Sequence, residues 1–138
     1  MPTLTSSIII NASTQKVFDA LTKPELVKLW QYGKILTTNW VTGSEINFKT
    51  EYEAKVNEQW GTVLEIQPPQ LIKYNLFTPG PRHEDKIENY CITTYMLSEV
   101  KDRTKLELIH EDNRPGTFIA SNLQPILITL KKIVESLP

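Results

Sequence analysis

The sequence predicts a single α+β domain in which a curved antiparallel sheet wraps around one long C-terminal helix. Residues 87–110 alternate apolar and polar side chains with period two, which is typical of strands with one dry face. Residues 117–137 instead carry apolar side chains at helical spacing. A chain of 138 residues is the size of one domain with one core, so we treat residues 1–138 as a single domain.

The N-terminal part of the chain predicts one strand followed by two short helices. Residues 6–11 are rich in β-branched side chains, which favour a strand. Ser13 or Thr14 then offers a hydroxyl that can cap a first helix. Pro24 suits the first turn of a second helix, and Gly33 can end it.

Period-two alternation predicts five further strands in the middle of the chain. They cover residues 46–52, 60–66, 72–76, 87–100 and 104–110. Pro68 and Pro69 cannot continue a hydrogen-bonded strand and therefore mark a turn. The segment 78–85 contains two prolines and a glycine and is predicted to be a loop between two hairpins.

The last two predicted strands are joined by a polar turn at residues 101–103, which suggests their register. An antiparallel pairing brings three pairs of residues together on one face: Leu97 with Leu106, Tyr95 with Leu108, and Thr93 with His110. Apolar residues dominate this set. We therefore expect this face to be the inner face of the sheet, which the C-terminal helix covers.

The C-terminal helix is predicted over residues 117–137 and contains Pro125. A proline inside a helix removes one hydrogen bond and clashes with the preceding turn, so a kink is expected near residues 123–125. A curved sheet and one long helix bury their apolar surfaces in a single core. This order of elements predicts a helix-grip fold.

Three stretches of the sequence resemble a known family. They are residues 13–26, residues 104–110 and the Gly-x-Val-Leu-Glu-x-x-Pro-Pro run at residues 61–69. They are similar to the AHSA1-like branch of the START/Bet v 1 (SRPBCC) superfamily, which is named for a domain of the activator of the Hsp90 ATPase. The resemblance implies a helix-grip fold with a cavity between sheet and helix. The chain departs from the family at residues 30–33, where many members carry a Trp-Trp-Gly-Pro-like stretch.

The net charge and the cysteine content bear on which partners the protein can bind and on which cellular compartment it occupies. Fifteen basic and sixteen acidic residues leave a net charge of -1, which gives no general positive field for nucleic acid or a membrane surface. Cys91 is the only cysteine, so no disulfide forms within the chain. The N-terminus lacks a secretory signal, and no apolar run is long enough to span a bilayer. We therefore expect a cytoplasmic protein.

No catalytic centre, metal site or cofactor is predicted from the motifs. The chain has no Gly-rich phosphate loop and no Gly-x-Ser-x-Gly elbow. His83 and His110 lie on different elements, so they do not form a two-histidine metal site. Cys91 is expected to be a small buried apolar residue. His110 has no predicted carboxylate beside it on the inner face, so a structural role is favoured over anchoring a ligand.

The first functional hypothesis is a binding protein for an apolar or amphipathic small molecule, held between the sheet and the C-terminal helix. Aromatic residues recur on the predicted strands, and either core packing or a pocket lining explains them. The candidate ligand-binding residues are Phe48, Trp60, Tyr74, Thr93, Tyr95, Leu108, His110, Ile126 and Leu130.

Two alternatives remain open at this point. The resemblance implies a protein-interaction module similar to the Hsp90 activator, with a chaperone as partner. The activator carries a further N-terminal domain, and nothing precedes the first predicted strand here, which favours a stand-alone role. An enzyme that cyclises or hydrates a bound molecule is the third hypothesis, because such a cavity can act with one or two polar groups. A monomer and a homodimer are both compatible with the sequence.

Overall fold

The computed structural model describes residues 3–31, 33–52, 54–79, 84–112 and 123–137. In these residues the strands are β1 (Thr3–Ile10), β2 (Ile35–Thr37), β3 (Glu45–Tyr52), β4 (Lys55–Gln67), β5 (Leu71–Leu76), β6 (Cys91–Val100) and β7 (Arg103–Asp112). The helices are α1 (Thr14–Thr22), α2 (Pro24–Trp30) and α3 (Gln124–Ser136), and Ile87–Asn89 form a 3₁₀ turn.

The strands form one antiparallel sheet in the order β1-β7-β6-β5-β4-β3-β2. The α+β helix-grip fold predicted from the sequence is confirmed, with two short helices between β1 and β2 and a helix at the C-terminal end. None of the helices in the described part of the chain is long and apolar enough to cross a membrane.

The two short helices begin where the capping residues predict. The Ser13 hydroxyl accepts a hydrogen bond from the backbone N–H of Lys16 at 3.2 Å and caps α1. Pro24 lies in the first turn of α2. Gly33, with φ +83°, donates its N–H to the carbonyl of Lys28 at 2.9 Å just after α2 ends.

Two tryptophan side chains from the segment after α1 form hydrogen bonds with the last turn of α1. The Nε1 of Trp30 donates to the carbonyl of Ala20 at 2.8 Å, and the Nε1 of Trp40 donates to the carbonyl of Thr22 at 2.9 Å. Both bonds use carbonyls near the C-terminal end of α1, where intrahelical partners run out. These two hydrogen bonds hold the segment that contains β2 against the end of α1.

The predicted register of β6 and β7 is confirmed at all three pairs: Leu97 with Leu106, Tyr95 with Leu108, and Thr93 with His110. The ladder continues beyond the predicted strand end at His110, and Cys91 faces Asp112. Leu106 and Leu108 belong to the main core, which also contains Tyr95 and the helix residues Leu127 and Leu130. The side of the sheet that carries them is therefore its inner face.

Helix α3 is held over β1 by polar contacts in addition to its apolar face. The ammonium of Lys131 donates to the carbonyl of Ile9 at 2.8 Å, and the backbone N–H of Asn11 donates to Glu135 Oε2 at 2.8 Å. The side chains of Ser6 and Gln124 are also hydrogen bonded. These contacts keep the helix in one position over the inner face.

The structure corrects several further details of the predicted elements. The three-residue strand β2 was not predicted. Ile87 lies in the 3₁₀ turn with its side chain 74% exposed, so the strand at residues 87–100 was predicted too long. Pro125 lies in the first turn of α3, where it removes no helical hydrogen bond, instead of at an internal kink. Residues 117–122 of the predicted helix lie outside the described residues.

A β-bulge interrupts β4 and changes which side chains face inward. Val63 pairs with Tyr74 and Glu65 pairs with Lys73, so β4 has one more residue than β5 at this point. Next to the bulge, a Cβ added to Gly61 would lie 2.0 Å from the carbonyl oxygen of Asn75. Position 61 therefore requires glycine because the two backbones approach closely.

Candidate ligand-binding face and groove

Three polar side chains lie side by side across the inner face of the sheet. Tyr74 on β5 is opposite Thr93 on β6, and Thr93 is opposite His110 on β7. We call these three residues the polar row. Tyr95 lies two residues further along β6, on the same face. The row places hydroxyl and imidazole groups within a face that is otherwise largely apolar.

The hydroxyl groups of this region are linked and protonated. Tyr74 forms side-chain hydrogen bonds with Tyr95 and Thr93. Burial raises the pKa of Tyr74 well above its ordinary value, and the charge and hydrogen bond of Tyr95 raise it further. Burial likewise raises the pKa of Tyr95 to about 12. Both phenols are therefore neutral at physiological pH and can donate or accept hydrogen bonds.

A carboxylate lies beside His110, which contradicts the prediction from the sequence. Asp112 is only 2% exposed and lies two residues beyond His110, so both point to the inner face. The donor atoms of Cys91, His110 and Asp112 all lie within 4.8 Å of one another. The sequence prediction ended the strand at His110. Period-two alternation continued by two residues would have found Asp112.

A groove of about 530 Å³ opens at the β3–β4 end of the sheet. Its lining combines one aromatic ring with mostly polar side chains: Lys34, Phe48, Thr50, Val56, Asn57, Glu58, Gln59, Thr78 and Pro79. Gln59 crosses the groove, where its Nε2 donates to the hydroxyl of Thr78 at 2.8 Å.

Lys34 contributes a partly buried ammonium group to the lining of this groove. Its ammonium lies 5.9 Å from the ring centroid of Phe48 and donates to Gln59 Oε1 at 3.3 Å. Burial lowers the pKa of Lys34 because the charged form loses solvation. Among the residues that the structure describes, no carboxylate forms an ion pair with Lys34. Glu58 lines the same groove and accepts a hydrogen bond from Asn47 at 3.2 Å.

The groove and the polar row are joined through aromatic contacts. The ring of Phe48 lies 5.8 Å from the ring of Tyr74, measured between centroids. Trp40 contacts the same tyrosine at 6.3 Å. Phe48 is 4% exposed and therefore forms a wall between the groove and the interior.

The structure brings most of the candidate ligand-binding residues together on the inner face or in the core behind it. These are Phe48, Tyr74, Thr93, Tyr95, Leu108, His110 and Leu130. Ile126 is 44% exposed and lies on the outer side of α3. Whether the inner-face set binds a ligand remains a prediction. The sequence prediction did not select Lys34 or Gln59, because no periodic pattern marks them.

Trp60 lies on the opposite face from the other candidates. It pairs with Asn47, whereas Phe48 pairs with Gln59, so the sheet separates Trp60 from Phe48. Its ring packs against Phe77 at 5.5 Å, and its Nε1 donates to Asp85 at 3.1 Å. Residues 60–66 were predicted to form one alternating strand. The bulge in β4 interrupts this alternation, so Trp60 and Ile66 lie on different faces.

Comparison with known proteins agrees with this architecture. Residues 11–126 match the family described as Activator of Hsp90 ATPase homolog 1-like protein. The chain belongs to this family. Comparison with curated proteins gives no match. The resemblance to this family predicted from residues 13–26, 61–69 and 104–110 is therefore confirmed.

Solved structures similar to this family member come from several bacteria. A protein from Cytophaga hutchinsonii is 29% identical with a TM-score of 0.80, covering 98% of this chain and 94% of that one. A protein from Chromobacterium violaceum is 19% identical with a TM-score of 0.76, covering 96% of both chains. The Aha1 dimer from Colwellia psychrerythraea is 18% identical with a TM-score of 0.69, covering 99% and 98%. The last two establish similarity of fold alone.

Proposed function

We propose that this protein binds an amphipathic small molecule whose acidic end lies at Lys34 and whose apolar body lies against Phe48. The observation that carries the proposal is the half-buried ammonium of Lys34 in an open groove, without an ion-pair partner among the described residues. A partly desolvated charge is normally paired in a folded protein. An anionic group on a ligand would supply the missing partner.

The other walls of the groove fit such a ligand. Its volume of about 530 Å³ falls within the range that is usual for small-molecule sites, roughly 300–1,000 Å³. Gln59 and Thr78 present an amide and a hydroxyl next to the ammonium, and both can bond to a carboxylate or a neighbouring hydroxyl group. Phe48 supplies an apolar surface for the rest of the molecule.

A second contact point lies behind Phe48, on the inner face. A rotation of the Phe48 ring would let a longer ligand extend from the groove toward Tyr74, which Phe48 already contacts. There the polar row offers neutral hydroxyl groups and an imidazole as hydrogen-bonding partners. We therefore retain Tyr74, Thr93, Tyr95 and His110, with Leu108 and Leu130 as apolar neighbours, as the inner part of the proposed site.

Native mass spectrometry of gently purified protein tests this function even though the ligand is unidentified. A retained organic acid of defined mass, lost on denaturation and absent from the Lys34→Gln variant, is the expected result. Protein that carries no small molecule, and that also binds no aromatic or aliphatic acid from a compound library in a thermal-shift screen, would contradict the proposal.

Family membership favours a second candidate, namely interaction with an Hsp90-type chaperone. The family is described by the activation of the Hsp90 ATPase, and one structural neighbour is described as an Aha1 dimer. This candidate predicts that the purified domain raises the ATPase rate of a bacterial Hsp90 without any small molecule. An unchanged ATPase rate over a range of domain concentrations would exclude activation of the chaperone and leave the ligand-binding proposal intact.

A further inference from the structure

We propose that Cys91, His110 and Asp112 form a binding site for a divalent transition-metal ion of the zinc type. The inference goes beyond ligand binding at Lys34 and does not depend on it. It starts from the close approach of three different donor groups, whose donor atoms all lie within 4.8 Å of one another.

The sheet register explains why these groups meet. Cys91 is the first residue of β6 and Asp112 is the last residue of β7, and the two are directly opposite. His110 precedes Asp112 by two residues, so its side chain leaves the strand on the same face. All three donors thus lie at adjoining ends of two neighbouring strands that are paired on both sides within the sheet, and paired strands are a rigid support for a metal site.

The distances agree with tetrahedral coordination after small side-chain rotations. Zinc binds thiolate, imidazole and carboxylate at about 2.0–2.3 Å, which places the donors of a tetrahedral site roughly 3.3–3.8 Å apart. The observed upper limit of 4.8 Å exceeds this range by about 1 Å. Rotations about the side-chain bonds of His110 and Asp112 can close such a gap without moving the strands.

The chemistry of the donor set selects the kind of ion. A thiolate together with an imidazole favours zinc, cobalt or a related ion over magnesium and calcium, which require oxygen ligands. With an ion bound, a Cys91 thiolate and the Asp112 carboxylate would carry two negative charges, which would balance the charge of a divalent ion. Both residues are buried, at 7% and 2% exposure.

Three protein ligands leave the fourth position of a tetrahedral ion open for water or for a ligand atom. Thr93, which belongs to the polar row, is directly opposite His110 and lies two residues from Cys91. The open position would therefore face polar groups.

No metal site is predicted from the sequence because the expected signal is a pair of histidines. A mixed set of one cysteine, one histidine and one aspartate carries no spacing signal, since Cys91 and Asp112 are brought together only by strand pairing. The donor set therefore becomes visible only once the two strands are paired.

Titration of the metal-free, reduced full-length protein with Co²⁺ tests the site. Because Cys91 is the only cysteine, a thiolate-to-cobalt charge-transfer band in the near ultraviolet can arise only from this residue. We expect one equivalent of Co²⁺ to produce this band and Zn²⁺ to abolish it by displacement. Absence of the band from folded wild-type protein at saturating Co²⁺ would overturn the proposal, and this result needs no variant.

Variants then assign the other ligands. We expect Cys91→Ser to remove the band. Asp112→Asn and His110→Gln should each weaken Co²⁺ binding by at least about 10-fold, the lower end of the loss that is usual even for groups that only support a metal ligand. Asp102→Asn, which changes an exposed carboxylate in the β6–β7 turn, is the matched control and should bind like the wild type. Circular dichroism confirms that each variant is folded. Equal affinity of wild type, Asp112→Asn and His110→Gln would place the ion elsewhere and contradict the proposal.

Discussion

The rings of Phe48 and Tyr74 are in contact, with centroids 5.8 Å apart and planes inclined by 43°. Phe48 lines the groove that contains Lys34, and Tyr74 is the first member of the polar row. A single aromatic contact thus connects the solvent-accessible groove with the hydrogen-bonding groups of the inner face. Any ligand that displaces the Phe48 ring would also reach Tyr74.

The packing of α3 on the inner face predicts that alanine substitutions at buried and exposed positions of this helix lower the free energy of unfolding by different amounts. Leu130 is fully buried in the main core, whereas Ile126 is 44% exposed. Leu130→Ala should lower the free energy of unfolding by about 2–5 kcal/mol, because it removes buried methyl groups and leaves a cavity. Ile126→Ala should lower it by less than about 1 kcal/mol. Urea unfolding monitored by tryptophan fluorescence measures both, and similar effects would contradict the described orientation of α3.

The close approach of the backbone at Gly61 predicts that a side chain at this position destabilises the fold, and Gly43 serves as the control position. A Cβ at position 61 would lie 2.0 Å from the backbone oxygen of Asn75, whereas a Cβ at Gly43 has no heavy atom within 4 Å. Gly61→Ala should therefore lower the free energy of unfolding by about 3 kcal/mol or more, since two paired strands must move apart. Gly43→Ala should cost about 1–2 kcal/mol, because φ at Gly43 is +89°. Chemical denaturation at neutral pH compares them, and an equal loss would indicate that β4 and β5 are less closely paired.

The buried phenol of Tyr95 predicts a loss of stability at alkaline pH. Its pKa is about 12 in the folded state, against an ordinary value near 10, so the unfolded state releases the proton first. Stability from this group is complete below about pH 10 and falls as the pH rises toward 12. Between about pH 9 and pH 11 the wild type should lose about 1 kcal/mol more than Tyr95→Phe.

Denaturation midpoints at these two pH values, measured for wild type and Tyr95→Phe, give this difference directly. The substitution removes only the hydroxyl group, so titrating groups that do not contact Tyr95 contribute equally to both proteins. Tyr74 is hydrogen bonded to Tyr95, but burial is the largest cause of its raised pKa and acts in both proteins. Parallel loss of stability in the two proteins would mean that the Tyr95 hydroxyl is not desolvated in the folded state.

The parts of the fold that the sequence predicted are those with a repeated physical signal. The β6–β7 register followed from alternation, because shifting Tyr95 by one residue would turn the whole apolar set outward. The start of α2 followed from the fixed φ of Pro24. The strand β2 has three residues, which is too short for a period to be visible.

The candidate site was predicted only in part, and the cause differs for each residue that was misplaced or missed. Trp60 and Ile66 are evenly spaced, which predicts a shared face, but the bulge after Val63 reverses the alternation between them. Asp112 was missed because the strand was ended at His110. Lys34 carries no sequence signal at all, since its position beside Phe48 depends on how the chain after α2 meets β3.

The most direct measurement of ligand binding at Lys34 is a fluorescence titration with 1-anilinonaphthalene-8-sulfonate, an anion with an aromatic body. Lys34→Gln removes the ammonium in the groove, and Lys49→Gln makes the same charge change on the opposite face of β3, where Lys49 pairs with Glu51 at 3.7 Å. We predict about tenfold weaker binding for Lys34→Gln, the loss of one charge-assisted contact, and unchanged affinity for Lys49→Gln. Equal affinities of the wild type and both variants would contradict binding at Lys34.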